Sequence, residues 1–139
     1  MFETFEHRAD IGVRGKSKSI EGAFEECAKA LTSIMANPEK IEPLKSHVIN
    51  LSADDKGALL VAFLNELLFL KDTKKMLYAK FRLTIGEKLG AVELKAVCFG
   101  EKINPEKHEL TTDAKAATYT ELLVKKQGED WIAQCIIDV

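Results

Sequence analysis

The sequence has few cysteines, and none of them form a recognisable pair. Cys27, Cys98 and Cys135 are three in number among 139 residues and lie far apart, so no CxxC spacing occurs. A zinc site or a redox-active dithiol usually needs such a pair, and the sequence therefore indicates neither. Each cysteine lies in an apolar neighbourhood, and we expect all three to be reduced and buried.

A long hydrophobic run is also missing. The longest uninterrupted apolar stretch covers residues 58–64, far short of the ~20 residues that a membrane-spanning helix needs. The first residues, MFETFEH, have neither a basic region nor an apolar segment of the kind found in secretory signals. We therefore expect a cytoplasmic protein.

The sequence lacks the common signatures of a self-contained enzyme. Gly12 and Gly15 make neither a GxGxxG nor a Walker motif, and no nucleophile-elbow spacing is present. The net charge is −2, with acidic residues interleaved among the lysines. Proteins that bind nucleic acid by themselves usually carry a basic face. We expect no strong direct binding to nucleic acid, and a protein partner instead.

The apolar and charged residues that are present predict one soluble α+β domain spanning residues 1–139. Apolar residues make up 46% of the chain and charged residues 30%. Apolar side chains at helical spacing predict a first helix from about Ile20 to Met35, with Ser19 as its N-cap. A second helix is predicted to start near Asp54 and Asp55, whose charges suit a helix N-terminus.

The rest of the chain alternates as strands do, so we predict mostly antiparallel sheets. Residues 100–110 are predicted to form a polar loop. The predicted strands cover residues 2–7, 11–15, 48–51, 77–85, 92–98, 118–126 and 131–139.

Two short stretches at opposite ends of the chain contain candidate functional residues: HRADIG, residues 7–12, and the terminal IIDV. Asp138 ends an apolar strand next to the carboxylate of Val139. Two like charges ~4 Å apart repel by about 4 kcal/mol at an effective dielectric constant of ~20. A hard cation such as calcium or magnesium would relieve that repulsion. The residues alone do not bring Asp10 to Asp138, and two separate solvated acids are the simpler interpretation.

Several other polar residues have both a functional and a structural interpretation. His7 is either an acid–base group, as in a small hydrolase that pairs it with Asp10, or an ordinary histidine at a strand end. The remaining candidates, which we expect to be an exposed helix rim or solvated loop residues, are Asn65, Glu66, Asp72, His108 and Lys115.

Taken together, several segments resemble the archease family over essentially the full length. These segments are FEHRADIG, NELLFLKD, FGEKINPEKHEL, KAATYTELLVKK and WIAQCIIDV. The resemblance implies two strand–helix–strand–strand modules, one inserted in the other. It also implies an accessory factor, not an enzyme, that promotes guanylylation of the active-site histidine of the GTP-dependent tRNA-splicing RNA ligase and permits multiple turnover. A general chaperone of RNA- or DNA-processing proteins, with a structural metal, is the alternative.

The resemblance also implies a site. It places a divalent cation, usually calcium with magnesium or manganese as alternatives, on Asp10, Asp138 and Val139. It ties Lys115 to activity. The sequence departs from the family at Arg8, where threonine is usual, and at Thr120, where histidine is common. The characteristic positions to which it gives no role are His7, Asn65, Glu66, Asp72 and His108.

Overall fold

The computed structural model describes residues 1–139. It is an α+β fold in which every strand pairing is antiparallel, as predicted. The strands are β1 (Phe2–His7), β2 (Asp10–Ser17), β3 (Lys45–Ala53), β4 (Met76–Lys88), β5 (Ala91–Lys102), β6 (Ala116–Ala117), β7 (Leu123–Gln127) and β8 (Asp130–Asp138). The helices are α1 (Ile20–Met35), α2 (Lys56–Lys74) and the short α3 (Pro105–His108), with a 3-10 turn at Pro38–Lys40.

The strands form two sheets. In the first sheet the order is β1-β2-β8-β6, and β7 also pairs with β8. The second sheet has the order β3-β5-β4. The segment β3–α2–β4–β5 is inserted between α1 and β6 and forms a strand–helix–strand–strand module. The outer module, β2–α1–β7–β8, has the same order and carries β1 and β6 as additional strands.

Both long helices lie between the two sheets. α1 contacts β2 and β8 of the first sheet and β4 of the second, and α2 contacts β3 on one side and β6 on the other. A single cluster of 34 buried hydrophobic residues draws on all these elements. α1 packs closely on β2 at Gly15, where an added Cβ would lie 2.1 Å from the Ala23 carbonyl oxygen. A larger residue at position 15 would therefore push α1 away from the sheet.

Ser19 caps α1 as predicted, and Asp55, one of the two acids predicted near the start of α2, is the N-cap of that helix. The Ser19 hydroxyl accepts the Gly22 N–H at 3.0 Å. The Asp55 carboxylate accepts the Ala58 N–H at 2.8 Å. Each bond satisfies one of the amide groups that a helix N-terminus leaves without a partner.

Two predicted segments are wrong. The predicted loop 100–110 is largely structured, because β5 continues to Lys102 against β4, and the Asn104 side chain then caps α3. The predicted strand 118–126 is interrupted, because the chain turns at Glu121, where φ is 53°, before β7 begins. β3 is also longer than the predicted strand 48–51.

The three thiols are free and buried, as predicted. Burial raises the pKa of Cys98 and of Cys135 to about 12, because a thiolate is poorly solvated in the core. Neither α1 nor α2 is long and apolar enough to cross a bilayer.

Candidate functional site

The pairing of β2 with β8 joins the two chemically rich stretches of the sequence. Ile11 pairs with Ile137, so Asp10, the first residue of β2, stands one step beyond that pair, opposite Asp138. The Asp10 carboxylate accepts the N–H of Val139 at 3.3 Å. Asp10, Asp138 and Val139 therefore meet at one end of the first sheet, and we call this set the acidic tip.

Lys115 reaches the acidic tip from the other side of β8. Its N–H donates to the backbone oxygen of Asp138 at 2.8 Å, and the next residue, Ala116, pairs with Asp138 in the sheet. The Lys115 side chain is exposed. Val139 packs its side chain against the core, which holds this end of β8 in place.

The acidic tip carries negative charge without an internal counter-ion. Neither Asp10, Asp138 nor the carboxylate of Val139 takes part in an ion pair. No three side chains of His, Cys, Asp or Glu are grouped so that they could hold a metal ion. A metal at the tip would therefore need main-chain oxygen in addition to the two aspartates. Carboxylate and main-chain oxygens are the donors that a hard cation prefers, so the donor set fits such an ion.

His7 lies beside the acidic tip. It pairs with Asp10 across the β1–β2 turn, and residues paired in this way project on the same face of the sheet. Its ring is half-buried, and Nε2 lies 3.9 Å from a Glu121 carboxylate oxygen. Arg8 occupies the turn between the strands with φ at 56°, and its side chain is exposed.

α2 fixes the segment that carries Lys115. The Asn65 side chain makes two hydrogen bonds with Ala117, accepting its N–H at 2.8 Å and donating to its oxygen at 3.2 Å. The Lys71 ammonium donates to Asp113 at 2.7 Å and to the oxygen of Ala114 at 3.3 Å. The bond from Lys71 holds the pKa of Asp113 below its usual range.

The expected exposed rim is therefore wrong for Asn65, which is half-buried and bonded to the backbone of Ala117. The prediction of an exposed rim is right for Asp72, whose side chain is exposed and whose carboxylate lies 3.5 Å from the Lys71 ammonium. Glu66 is half-buried.

His108 is not a solvated loop residue, and that prediction is wrong. It has no exposed surface. Its Nδ1 accepts the Asn104 N–H at 2.9 Å, and its Nε2 lies 3.0 Å from a Glu101 carboxylate oxygen. Glu101 also accepts the Glu42 N–H at 2.7 Å and pairs with Lys107. This network ties together β5, α3 and the segment after α1, and it includes no residue of the acidic tip.

Sequence reasoning missed the members of these networks other than Asn65 and His108, among them the two buried charged residues, Lys71 and Glu101, which are each 9% exposed. Lys71 had a usable signal, because it lies four residues after Leu67 on the apolar stripe of α2. A lysine in such a position needs a partner, and Asp113 provides it. Nothing in the sequence around Glu101 indicated that its side chain would be buried.

Comparisons with known proteins agree with the fold. The model of the Archease protein family (MTH1598/TM1083) matches residues 2–139. "Protein archease" of Thermococcus kodakarensis is 38% identical over 139 residues, covering 99% of this chain and 98% of that protein. "Protein archease" of Pyrococcus furiosus is 37% identical with the same coverage.

Two solved structures are similar. The solution structure of Methanobacterium thermoautotrophicum protein 1598 has a TM-score of 0.85 at 29% identity, covering 99% of this chain and 98% of that one. The crystal structure of a Thermotoga maritima protein, described as an archease and possible chaperone, has a TM-score of 0.57 at 17% identity. It covers 99% of this chain and 96% of that one, and the likeness concerns the fold alone.

Proposed function

Because this chain belongs to the archease family, we propose that it is an accessory protein that activates a GTP-dependent tRNA-splicing RNA ligase. In this proposal the chain catalyses no reaction alone. It promotes guanylylation of the ligase's active-site histidine and so permits multiple turnover. The family match over residues 2–139 supports the proposal.

The observation that carries the proposal is the assembly of the acidic tip. Its parts come from two segments at opposite ends of the chain, joined by the bond between Asp10 and Val139. A third segment is attached to the tip by the bond from Lys115 to Asp138. A fold gains no stability from bringing carboxylates together without a counter-ion, because like charges repel. A surface of this kind is suited to binding a cation and presenting it to a partner.

We assign the cation ligands to Asp10, Asp138 and the carboxylate of Val139, with calcium as the expected ion and magnesium or manganese as alternatives. A divalent cation at this position would supply positive charge to the phosphates of a bound nucleotide. Lys115 adds a second positive charge on the same end of the molecule, where its exposed ammonium can reach a phosphate or a carboxylate of the ligase. His7 shares this surface, and the proposal gives it no separate role.

The test is ligase guanylylation and multiple turnover with Asp10→Asn and Asp138→Asn variants at defined metal and GTP. Replacing even an outer partner of a metal ligand costs 10–100-fold in affinity or activity, so each variant should lose at least about tenfold of the activation. Asp54→Asn is the matched control, because Asp54 is exposed and lies outside the tip. Unchanged melting temperatures would show that the variants are folded.

Full activation by both folded variants would contradict the role of the acidic tip, and no activation by the wild type would contradict the proposed function itself. A metal-dependent melting temperature with unaltered ligase turnover would favour the second candidate, a general chaperone with a structural metal. Nucleotide turnover by the purified protein alone would instead favour a hydrolase that uses His7 and Asp10.

A further inference from the structure

The second sheet has one face that is largely exposed to solvent. Its inner face packs on α1 and α2 through buried residues such as Phe81, Leu94 and Cys98. Residues of the opposite parity point outward, and we call this surface the open face. Its members are Ser46, Val48, Asn50 and Ser52 of β3, Lys80, Arg82, Thr84, Gly86 and Lys88 of β4, and Ala91, Glu93, Lys95, Val97 and Phe99 of β5.

The charge of the open face is opposite to that of the whole chain. It carries four basic side chains and one acidic one, a net charge of +3, whereas the chain has a net charge of −2. The basic residues are Lys80, Arg82, Lys88 and Lys95, and the acidic one is Glu93. A polyanion approaching the protein is therefore attracted to this face and repelled by the acidic tip.

An aromatic ring lies among these cations. Phe99 is on the central strand and outward-facing, with Lys80 directly opposite it on β4. The Lys80 ammonium lies 5.7 Å from the ring centroid, and the Arg82 guanidinium lies 5.5 Å from it. The neighbouring row pairs Val97 with Val48, which is 49% exposed. The face thus presents a half-buried aromatic ring with two cations over it, next to an exposed valine.

A polar row continues the open face. Lys95 on the central strand is flanked by Asn50 on β3 and Thr84 on β4. These residues line an open groove of about 580 Å³ that extends to the β4–β5 hairpin. The amide of Asn50 and the hydroxyl of Thr84 can each donate and accept hydrogen bonds, as the edges of nucleobases require.

We propose that the open face binds single-stranded RNA. In the free protein Lys80 and Arg82 lie over the Phe99 ring. On binding, these two side chains turn to phosphates together with Lys95, which leaves Phe99 free to stack on a base, and the polar row contacts base edges. Aromatic residues on an exposed sheet, interleaved with basic ones, are how sheets bind single strands, because every base has a face that can stack. This site is separate from the acidic tip and does not depend on the proposed ligase. With about three phosphate contacts it is a weak site, in keeping with the expectation that the chain binds no nucleic acid strongly.

The test uses the purified protein and a 5′-fluorescein-labelled RNA of 12 nucleotides, followed by fluorescence anisotropy. Three phosphate contacts to a single strand predict a slope of about −2 in the plot of log K against log salt. The affinity should therefore fall roughly 20-fold between 50 and 200 mM KCl. An RNA duplex of the same length should bind more weakly, because its bases are already stacked.

Two variants separate stacking from charge. Phe99→Leu keeps an apolar side chain but removes the ring, and should lower the affinity about tenfold without changing the salt slope. Arg82→Gln should lower the affinity and reduce the slope by about 0.7. Lys40→Gln removes one exposed positive charge outside the open face and should bind RNA like the wild type.

Absence of RNA binding at 50 mM KCl would overturn the proposal, as would wild-type affinity in both Phe99→Leu and Arg82→Gln. Equal binding of duplex and single strand would overturn the stacking role of Phe99. If the wild type binds no RNA while the same two variants lose ligase binding, the open face is a docking surface for an acidic protein, and the RNA proposal is wrong. Because RNA binding is measured without ligase, its failure leaves the proposed ligase activation untouched.

Discussion

At the scale of single residues, His108 shows how a buried polar side chain becomes structural. It has no exposed surface, and both ring nitrogens are used. Because Nδ1 accepts the Asn104 N–H, the ring proton must be on Nε2, from which it donates to Glu101. A buried histidine without these partners would cost several kcal/mol. The ring is therefore fixed in one tautomer and is unsuited to transferring protons.

Glu101 makes this network sensitive to acid. The Glu42 N–H, Lys107 and His108 lower the pKa of Glu101 from its ordinary value of 4.5 to about 2. The ionised carboxylate of Glu101 therefore makes its full contribution to the free energy of unfolding above about pH 4.5. This contribution is lost as the pH falls towards 2. The urea midpoint of the wild type should exceed that of Glu101→Gln at pH 7, and the gap should narrow between pH 4.5 and pH 2.5.

The exposed residue Glu39 provides the control for this measurement, because Glu39→Gln should follow the wild type throughout. A gap between the wild type and Glu101→Gln that stays constant with pH would show that the carboxylate charge of Glu101 does not contribute.

At the scale of elements, α2 acts as the support of the 113–117 segment. Asn65 holds Ala117, Lys71 holds Asp113, and Lys115 lies between these two attachments. β6 has only two residues, so the bonds from α2 add to the few backbone bonds that attach it to β8. The position of Lys115 beside Asp138 thus depends on side chains of a helix that contributes nothing else to the tip.

Removing the Asn65 attachment should loosen this segment. Asn65→Leu leaves the N–H and oxygen of Ala117 without a partner and should cost about 1–3 kcal/mol of stability. Hydrogen exchange at the Ala117 amide should accelerate. Asn65→Asp keeps the acceptor for that N–H and should protect the amide better than leucine does. The neighbouring Glu66→Gln is the control, and equal exchange in all three variants would contradict the attachment.

Elements were predictable where one local pattern decides the structure. The start of α1 could be predicted from Ser19 and the apolar stripe that follows it, and the start of α2 from the acids Asp54 and Asp55 and the stripe after them. The structure of residues 100–110 and 118–122 could not be predicted, because it depends on contacts with residues that are distant in the sequence. β5 extends to Lys102 because β4 runs beside it, and His108 is buried because Glu101 and Asn104 satisfy it. For the same reason the contact of Asp10 with Val139 could not be derived from either stretch, and only the family resemblance suggested it.

At the scale of the whole molecule, both sheets share one core. The cluster of 34 residues includes Cys27 of α1, Cys98 of the inserted module and Cys135 of β8. A shared core predicts that neither module opens by itself. The domain assignment from the sequence, a single unit over residues 1–139, stays a prediction that these three thiols can test.

Alkylation by iodoacetamide at pH 8, followed by peptide mass spectrometry, measures the opening free energy at each thiol. The three values should agree within about 0.5 kcal/mol, because each thiol reacts after the same global unfolding. In urea above the unfolding transition all three should react at similar rates, which controls for intrinsic reactivity. Faster labelling of Cys98 than of Cys27 and Cys135 would show that the inserted module unfolds independently.

The insertion of one module in the other also determines which parts of the fold can form first during translation. β2 pairs with β8 across 126 residues of chain, from Ile11 to Ile137. At a translation rate of 5–20 residues per second, β8 is synthesised roughly 6 to 25 s after β2. The inserted module, which lies between them in the sequence, is synthesised in that interval. Asp10 therefore has no Asp138 opposite it until β8 has been synthesised, so the acidic tip cannot form before β8 does. A nascent chain can therefore build its two long helices and its second sheet before the acidic tip assembles.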